Sequence, residues 1–103
     1  METTTKVALD KFINLIQDMK DVYMTKNFPA LQRPVITADV GRRYAKIIVS
    51  DASSRSVYCF VDLTNGDVLK AATWKAPAKH SRGNIFANDP TAGVNVYGAN
   101  YIK

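Results

Sequence analysis

Apolar residues recur first at helical spacing and then at every second position, and this change of period divides the chain. Between residues 5 and 25, Phe12, Ile16, Met19 and Tyr23 follow an i, i+4, i+7, i+11 stripe, which Leu9, Ile13, Leu15 and Val22 widen. Asp10, Lys11, Asp18 and Lys20 fall on the opposite, wet side. A hydroxyl from the Thr3-Thr4-Thr5 cluster offers an N-cap, and Asn27 with Pro29 stops the helix. An aromatic and methionine stripe of this kind packs a core and is not read as a cofactor box.

From residue 35 the period is two. In VITADV, residues 35–40, Ile36, Ala38 and Val40 alternate with Val35, Thr37 and Asp39. Gly41-Arg42-Arg43 interrupts the run. YAKIIVS then places Ala45, Ile47 and Val49 on one face and Tyr44, Lys46 and Ile48 on the other. After turn chemistry in DASSR, residues 51–55, SVYCFVDL alternates Val57, Cys59, Val61 and Leu63 with Tyr58, Phe60 and Asp62. Each run reads as a strand of an antiparallel meander.

Asn65-Gly66 between two alternating runs marks a hairpin. A two-residue loop would pair Val61 with Lys70 and set that lysine on the apolar face. A three-residue loop over 64–66, with Gly66 left-handed, pairs Val61 with Leu69 and Cys59 with Ala71. The second register is preferred because it leaves no charge buried unpaired. It puts Tyr58, Phe60, Lys70 and Ala72 on one side, leading into Trp74. Beyond Trp74 the strand signal fades, with Pro77 and Gly83-Asn84 in what reads as a loop. VNVYGANYI, residues 94–102, is either one more short strand or a clamped tail. The expected architecture is a single α+β domain over residues 1–103. An N-terminal amphipathic helix packs on an antiparallel meander of three to five strands, followed by a basic loop and an irregular C-terminal tail.

Composition agrees with one globular domain: 103 residues, 47% apolar and 22% charged. No apolar run approaches the roughly 18 residues of a membrane span, and the start lacks the basic n-region of a secretory signal. A lone cysteine, Cys59, permits no intramolecular disulfide and fits a reducing, cytosolic compartment. One His and one Cys make no zinc site, and no CxxC, HExxH, GxGxxG or P-loop spacing occurs. A Cys59–His80 nucleophile pair would need a core-facing thiol to meet a surface loop. The chain therefore reads as a non-enzyme with no metal and no cofactor.

Charge changes the picture. The net +5 is uneven: residues 1–32 carry four Lys against four acids, while residues 33–103 carry ten Lys or Arg against five Asp. A one-signed face attracts phosphates or acidic protein surfaces, although modest positive charge also serves solubility alone. The stretch WKAPAKHSRGNIF, residues 74–86, concentrates this signal with Lys75, Lys79, Arg82 and the titratable His80. Pro77 stiffens it, and Gly83 and Asn84 offer backbone donors as an anion nest. Trp74 or Tyr58 offers a flat stacking surface. The candidate ligand-binding set is thus Tyr58, Lys70, Trp74, Lys75, Lys79, His80, Arg82, Gly83 and Asn84. The plain alternative is a solvated connector in which Trp74 caps the edge of the core.

The thirty residues VYCFVDLTNGDVLKAATWKAPAKHSRGNIF, 57–86, resemble small proteins of unknown role encoded by tailed bacteriophages. Those share a W-K-A-P-A-K-x-x-R-G-N-I signature after a β-hairpin, which Trp74, Lys75, Pro77, Lys79, Arg82, Gly83 and Asn84 reproduce. The resemblance implies a viral protein acting in the cytoplasm of an infected bacterial host, and it carries no ligand assignment. Two functions are then expected. One is a non-enzymatic module whose basic loop holds a phosphate-bearing partner, DNA or RNA. The other is an inhibitor that binds a host protein or sequesters a signalling nucleotide, with the sheet edge or the Arg42-Arg43 corner supplying the rest of the interface. A homodimer through an open sheet edge is a further expectation.

Overall fold

The structure, a computed structural model, describes residues 3–51, 54–91, 94–95 and 98–99. Helix α1 spans Thr3–Asn27 and is followed by β1 (Val35–Val40), β2 (Tyr44–Ser50), β3 (Arg55–Asp62), β4 (Asp67–Ala71) and β5 (Pro77–Asn84). These five strands form one antiparallel sheet in sequential order β1-β2-β3-β4-β5. Two-residue strands β6 (Val94–Asn95) and β7 (Gly98–Ala99) pair in a separate ribbon. The architecture is α+β, with the helix on one sheet face, as the change of period predicts. Of the expected C-terminal strand or tail, Val96, Tyr97 and residues 100–102 lie outside the described residues, as do Ala52 and Ser53 in the turn after β2.

The helix buries Thr5, Leu9, Phe12 and Ile16, one residue per turn along a single stripe. These close on Ile36, Ala45, Ile47, Cys59, Val61 and Val68 from four strands, with Ile85 and Val94 at the rim. The stripe is shorter than its apolar pattern: Val22 is 68% exposed. A 25-residue helix runs about 37 Å, while strands of six to eight residues cover only about 20–27 Å. The last turns therefore overhang the sheet. Gln17 ties the helix to the free edge of β1, its Oε1 accepting from the Ile36 N–H at 2.9 Å and its Nε2 donating to the Pro34 carbonyl at 2.8 Å. Cys59 is fully buried, and that burial pushes its thiol pKa up, away from reactivity.

Three local expectations need correction. The β3–β4 register pairs Phe60 with Leu69 and Val61 with Val68, so the connection is the four residues 63–66 and not the three at 64–66. Gly66 does take positive φ, +83°. Val68 and Leu69 are both apolar, so alternation alone cannot choose which one faces the helix. The turn decides. Asp62 Oδ1 accepts from the Thr64 N–H (2.9 Å) and Oγ1 (2.6 Å), and the Asp62 carbonyl accepts from the Gly66 N–H.

Second, Tyr58 does not share the outer side with Phe60. The β2–β3 ladder pairs Ile47 with Cys59 and Ile48 with Val57, leaving Tyr58 as the extra residue of a bulge. The bulge turns Tyr58 into the helix-facing core, where it is 4% exposed with the Lys20 Nζ 5.7 Å from its ring. Third, residues 77–84 form a strand, not a loop. Pro77 is tolerated because it opens an edge strand, where a missing N–H breaks no second ladder. The β4–β5 pairing is irregular on both sides of Leu69, which hid its period in the sequence.

Candidate functional site

The sheet face turned away from the helix gathers the chemistry. Cys59 and Val61 face the core, so Phe60 between them faces outward, and its cross-strand partner on β2 is Lys46. Tyr44, two residues from Lys46, lies on the same face with its ring edge-on to Phe60 at 6.4 Å. Phe60 and Ile48 are almost fully buried although neither belongs to the helix-facing core.

The β4–β5 turn reaches this face, with Lys75 lining a cavity beside Phe60. Thr73 closes the turn: its Oγ1 accepts from the Lys75 and Ala76 N–H groups, and the Ala76 carbonyl accepts from Ala72 and Thr73. Trp74 sits at the tip, 44% exposed. The Lys46 ammonium lies 4.5 Å and the Arg55 guanidinium 5.9 Å from its ring. A side chain from the tip of the β4–β5 turn thus meets residues of β2 and β3, so the turn leans back across the outer face.

Beside it opens a shallow cavity of about 230 Å³ lined by Asp39, Gly41, Arg42, Arg43, Tyr44, Lys46, Phe60 and Lys75. Four cations face one carboxylate there. The turn 41–44, closed by the Gly41 N–H donating to the Tyr44 carbonyl, presents Arg42 and Arg43. Arg43 is already engaged: its guanidinium lies 3.3 Å from Asp62 Oδ2 and 5.1 Å from the Tyr44 ring. Arg42 and Lys75 enter no ion pair among the described residues. An adjoining cavity of about 310 Å³ shares Arg43 and Tyr44 and reaches Pro77, Ala78 and Lys79, but Asp62 and Asp67 balance its cations. Of these two cavities, the first therefore carries the excess of positive charge.

Asp62 anchors this arrangement. Burial alone would raise its pKa, but the two hydrogen bonds from Thr64 and the Arg43 charge outweigh that and hold it below the ordinary carboxylate value. A carboxylate with a depressed folded pKa stabilises the native state above its unfolded pKa, and that contribution is lost as pH falls through the folded value. In urea unfolding between pH 3 and 7, Asp62→Asn is expected to be less stable than wild type at neutral pH. The gap should begin to narrow below about pH 4 and keep narrowing as pH falls through the lower folded value. A gap independent of pH would refute the assignment.

The sequence-derived residues divide. Trp74 and Lys75 join the outer-face site, and Lys79 lines the neutral neighbour. Tyr58 is on the other side of the sheet, and Lys70 is half-buried on β4. His80 falls on β5, with its side chain outside the described residues, and Arg82 is half-buried on the same strand. Gly83 and Asn84 form no nest. Gly83 pairs with Val68 without positive φ, and its N–H is accepted by Ser81 Oγ at 3.3 Å. Asn84 is spent inside the fold, its Nδ2 donating to the Asn65 carbonyl and to Asp67, its Oδ1 accepting from the Phe86 N–H. Sequence reasoning missed Tyr44, Lys46, Arg55 and Phe60 as site residues, and used Arg42 and Arg43 only as a corner. The signal was the outward parity shared by Tyr44 and Lys46, which cross-strand pairing joins to Phe60.

Among the described residues, no group of three or more His, Cys, Asp or Glu is placed to hold a metal, and no helix is long and apolar enough to cross a membrane. The family described as a family of unknown function (DUF7717) matches residues 2–97, and the chain belongs to it. Neither a curated protein nor a solved structure matches the chain.

Proposed function

We propose, since family membership brings no activity with it, that this is a non-enzymatic binding module whose outer sheet face holds the phosphates of DNA or RNA. The observation that carries the reading is the cluster of Arg42, Arg43, Lys46 and Lys75 around one cavity floored by Tyr44 and Phe60, with Trp74 alongside. Guanidinium and ammonium donors converge on a volume open to solvent, with the half-buried Tyr44 ring in its lining and the exposed Trp74 next to Lys75. The helix gathers no such cluster: Lys6, Lys11, Lys20 and Lys26 are spread along it among Asp10, Asp18 and Asp21, and Lys6 is paired with Asp10. The resemblance to bacteriophage proteins supports action in an infected bacterial cytoplasm.

Neutralising about four phosphates releases their condensed counterions, so log K should fall against log salt with a slope of about −3. An oligonucleotide titration by fluorescence anisotropy between 50 and 300 mM salt measures this. A flat dependence would remove nucleic acid from consideration.

A second reading is favoured by a different surface. Phe28, Leu31 and Val35 are exposed, and Leu31 lines a cavity of about 320 Å³ with Met24, Pro34 and Val49 where the helix overhangs the sheet. That patch suits a host protein or a second copy of this chain, since β1 is an edge strand with exposed apolar side chains. Purification from infected cells distinguishes them: one stoichiometric host protein, lost in Leu31→Asp, would support the inhibitor reading. A nucleotide co-purifying in native mass spectrometry would instead assign the basic cavity to a mononucleotide.

A further inference from the structure

We infer, resting on the phosphate-binding reading above, that the nucleic acid is single-stranded and that one base stacks on Trp74 in place of the Lys46 ammonium. Duplexes hide base faces in their own stack and present phosphates and groove edges to a protein. An element that projects into a groove is the usual reader of a duplex. Here α1 is committed by its apolar stripe to the opposite sheet face, and the basic cavity is a recess in a sheet.

A single strand has what this face is built to meet, a phosphate and an unstacked base within one nucleotide of each other. Trp74 and Lys75 are adjacent on a turn held by Thr73, so the indole and one cavity cation are fixed together. The Lys46 ammonium, 4.5 Å from the ring centroid, occupies a π face of a tryptophan that is 44% exposed, so displacing one flexible side chain frees that face for an external group. Lys46 also lines the cavity. A phosphate arriving there attracts the ammonium by full charge, while a base takes the vacated ring face. Stacking on an aromatic is the stronger of the two contacts that face can make at an exposed site. Arg55, 5.9 Å away, stays beside the ring and extends the cationic track past it.

Trp74 is the only tryptophan, so its emission reports the proposed contact directly. The full chain is titrated at low salt with a 20-nucleotide oligothymidylate and with a 20-base-pair duplex, following both label anisotropy and tryptophan emission. The inference expects the single strand to bind at least tenfold more tightly, with emission quenched in step with anisotropy. Trp74→Leu, whose site lies outside the buried core, should lose roughly tenfold for the single strand and nothing for the duplex. Equal or tighter duplex binding, or single-strand binding without an emission change, overturns the inference and leaves the phosphate reading standing. Failure of both oligonucleotides to bind overturns the reading itself.

Discussion

Lys75→Glu should weaken oligonucleotide binding about a hundredfold at 50 mM salt while leaving the thermal midpoint within a degree or two of wild type. Lys75 lines the cavity where four cations face one acid, on a turn whose backbone is closed by Thr73 and not by the lysine side chain. Losing one charge-assisted hydrogen bond costs about 1.5–3 kcal/mol. Installing a carboxylate beside a bound phosphate adds a repulsion of similar sign and somewhat smaller size, since salt and solvent screen it. The fold loses nothing comparable, because Lys75 is exposed and unpaired with any described acid. Lys79→Glu is the internal control. Asp62 and Asp67 already offset its cavity, so its effect should be several-fold smaller. Equal losses from the two variants in the anisotropy assay would mean that net charge alone, and not the cavity, governs affinity.

The second large effect concerns stability. Phe12→Ala should cost about 3–5 kcal/mol, a large share of the roughly 5–15 kcal/mol available to a domain of this size. Phe12 is fully buried at the centre of the helix–sheet contact, and truncation leaves a void that strands β2 and β3 cannot fill without breaking their own pairing. Val7→Ala, at a position 63% exposed on the same helix, should change stability by no more than about 0.5 kcal/mol. Chemical unfolding monitored by circular dichroism gives both numbers. A small loss for Phe12→Ala would contradict the packing of α1 on this sheet face.

The contrast between those two positions also marks how far the sequence was legible. Period and parity suffice to place a helix over a meander, because Phe12, Ile16, Ile47, Cys59 and Val61 each lie where their spacing puts them. Three features escape such reasoning for identifiable causes. Tyr58 reverses side because a bulge inserts one residue into β3, and a bulge leaves no mark in an alternation of Val, Tyr, Cys and Phe. Val68 and Leu69 are interchangeable to a polarity pattern, so the side-chain bonds of Asp62 to Thr64 settle the hairpin instead. Residues 77–84 carry proline, glycine and charge yet form an edge strand, because an edge with irregular pairing tolerates all three.

The site was half legible for a related reason. Local sequence density pointed to residues 74–86, and Trp74 with Lys75 does lie in the cationic cluster. The rest of that cluster comes from thirty residues upstream, where Arg42, Arg43 and Lys46 are spread over a turn and a strand. Pairing across β2 and β3, and the reach of the β4–β5 turn, bring all three around one cavity with Lys75, and Lys46 against Trp74. Conversely, Asn84 looked like a donor for a ligand and proves to be a brace, tying the end of β5 to the β3–β4 turn.

What all this depends on is the location of the anion-binding surface, and amide and indole chemical shifts locate it without mutation. In a ¹⁵N heteronuclear correlation titration with oligothymidylate, the amides of Arg42, Tyr44, Lys46 and Lys75 and the Trp74 indole N–H are expected to shift together and saturate at one concentration. Perturbations confined to the exposed face of α1, or to Phe28, Leu31 and Val35, would contradict that location.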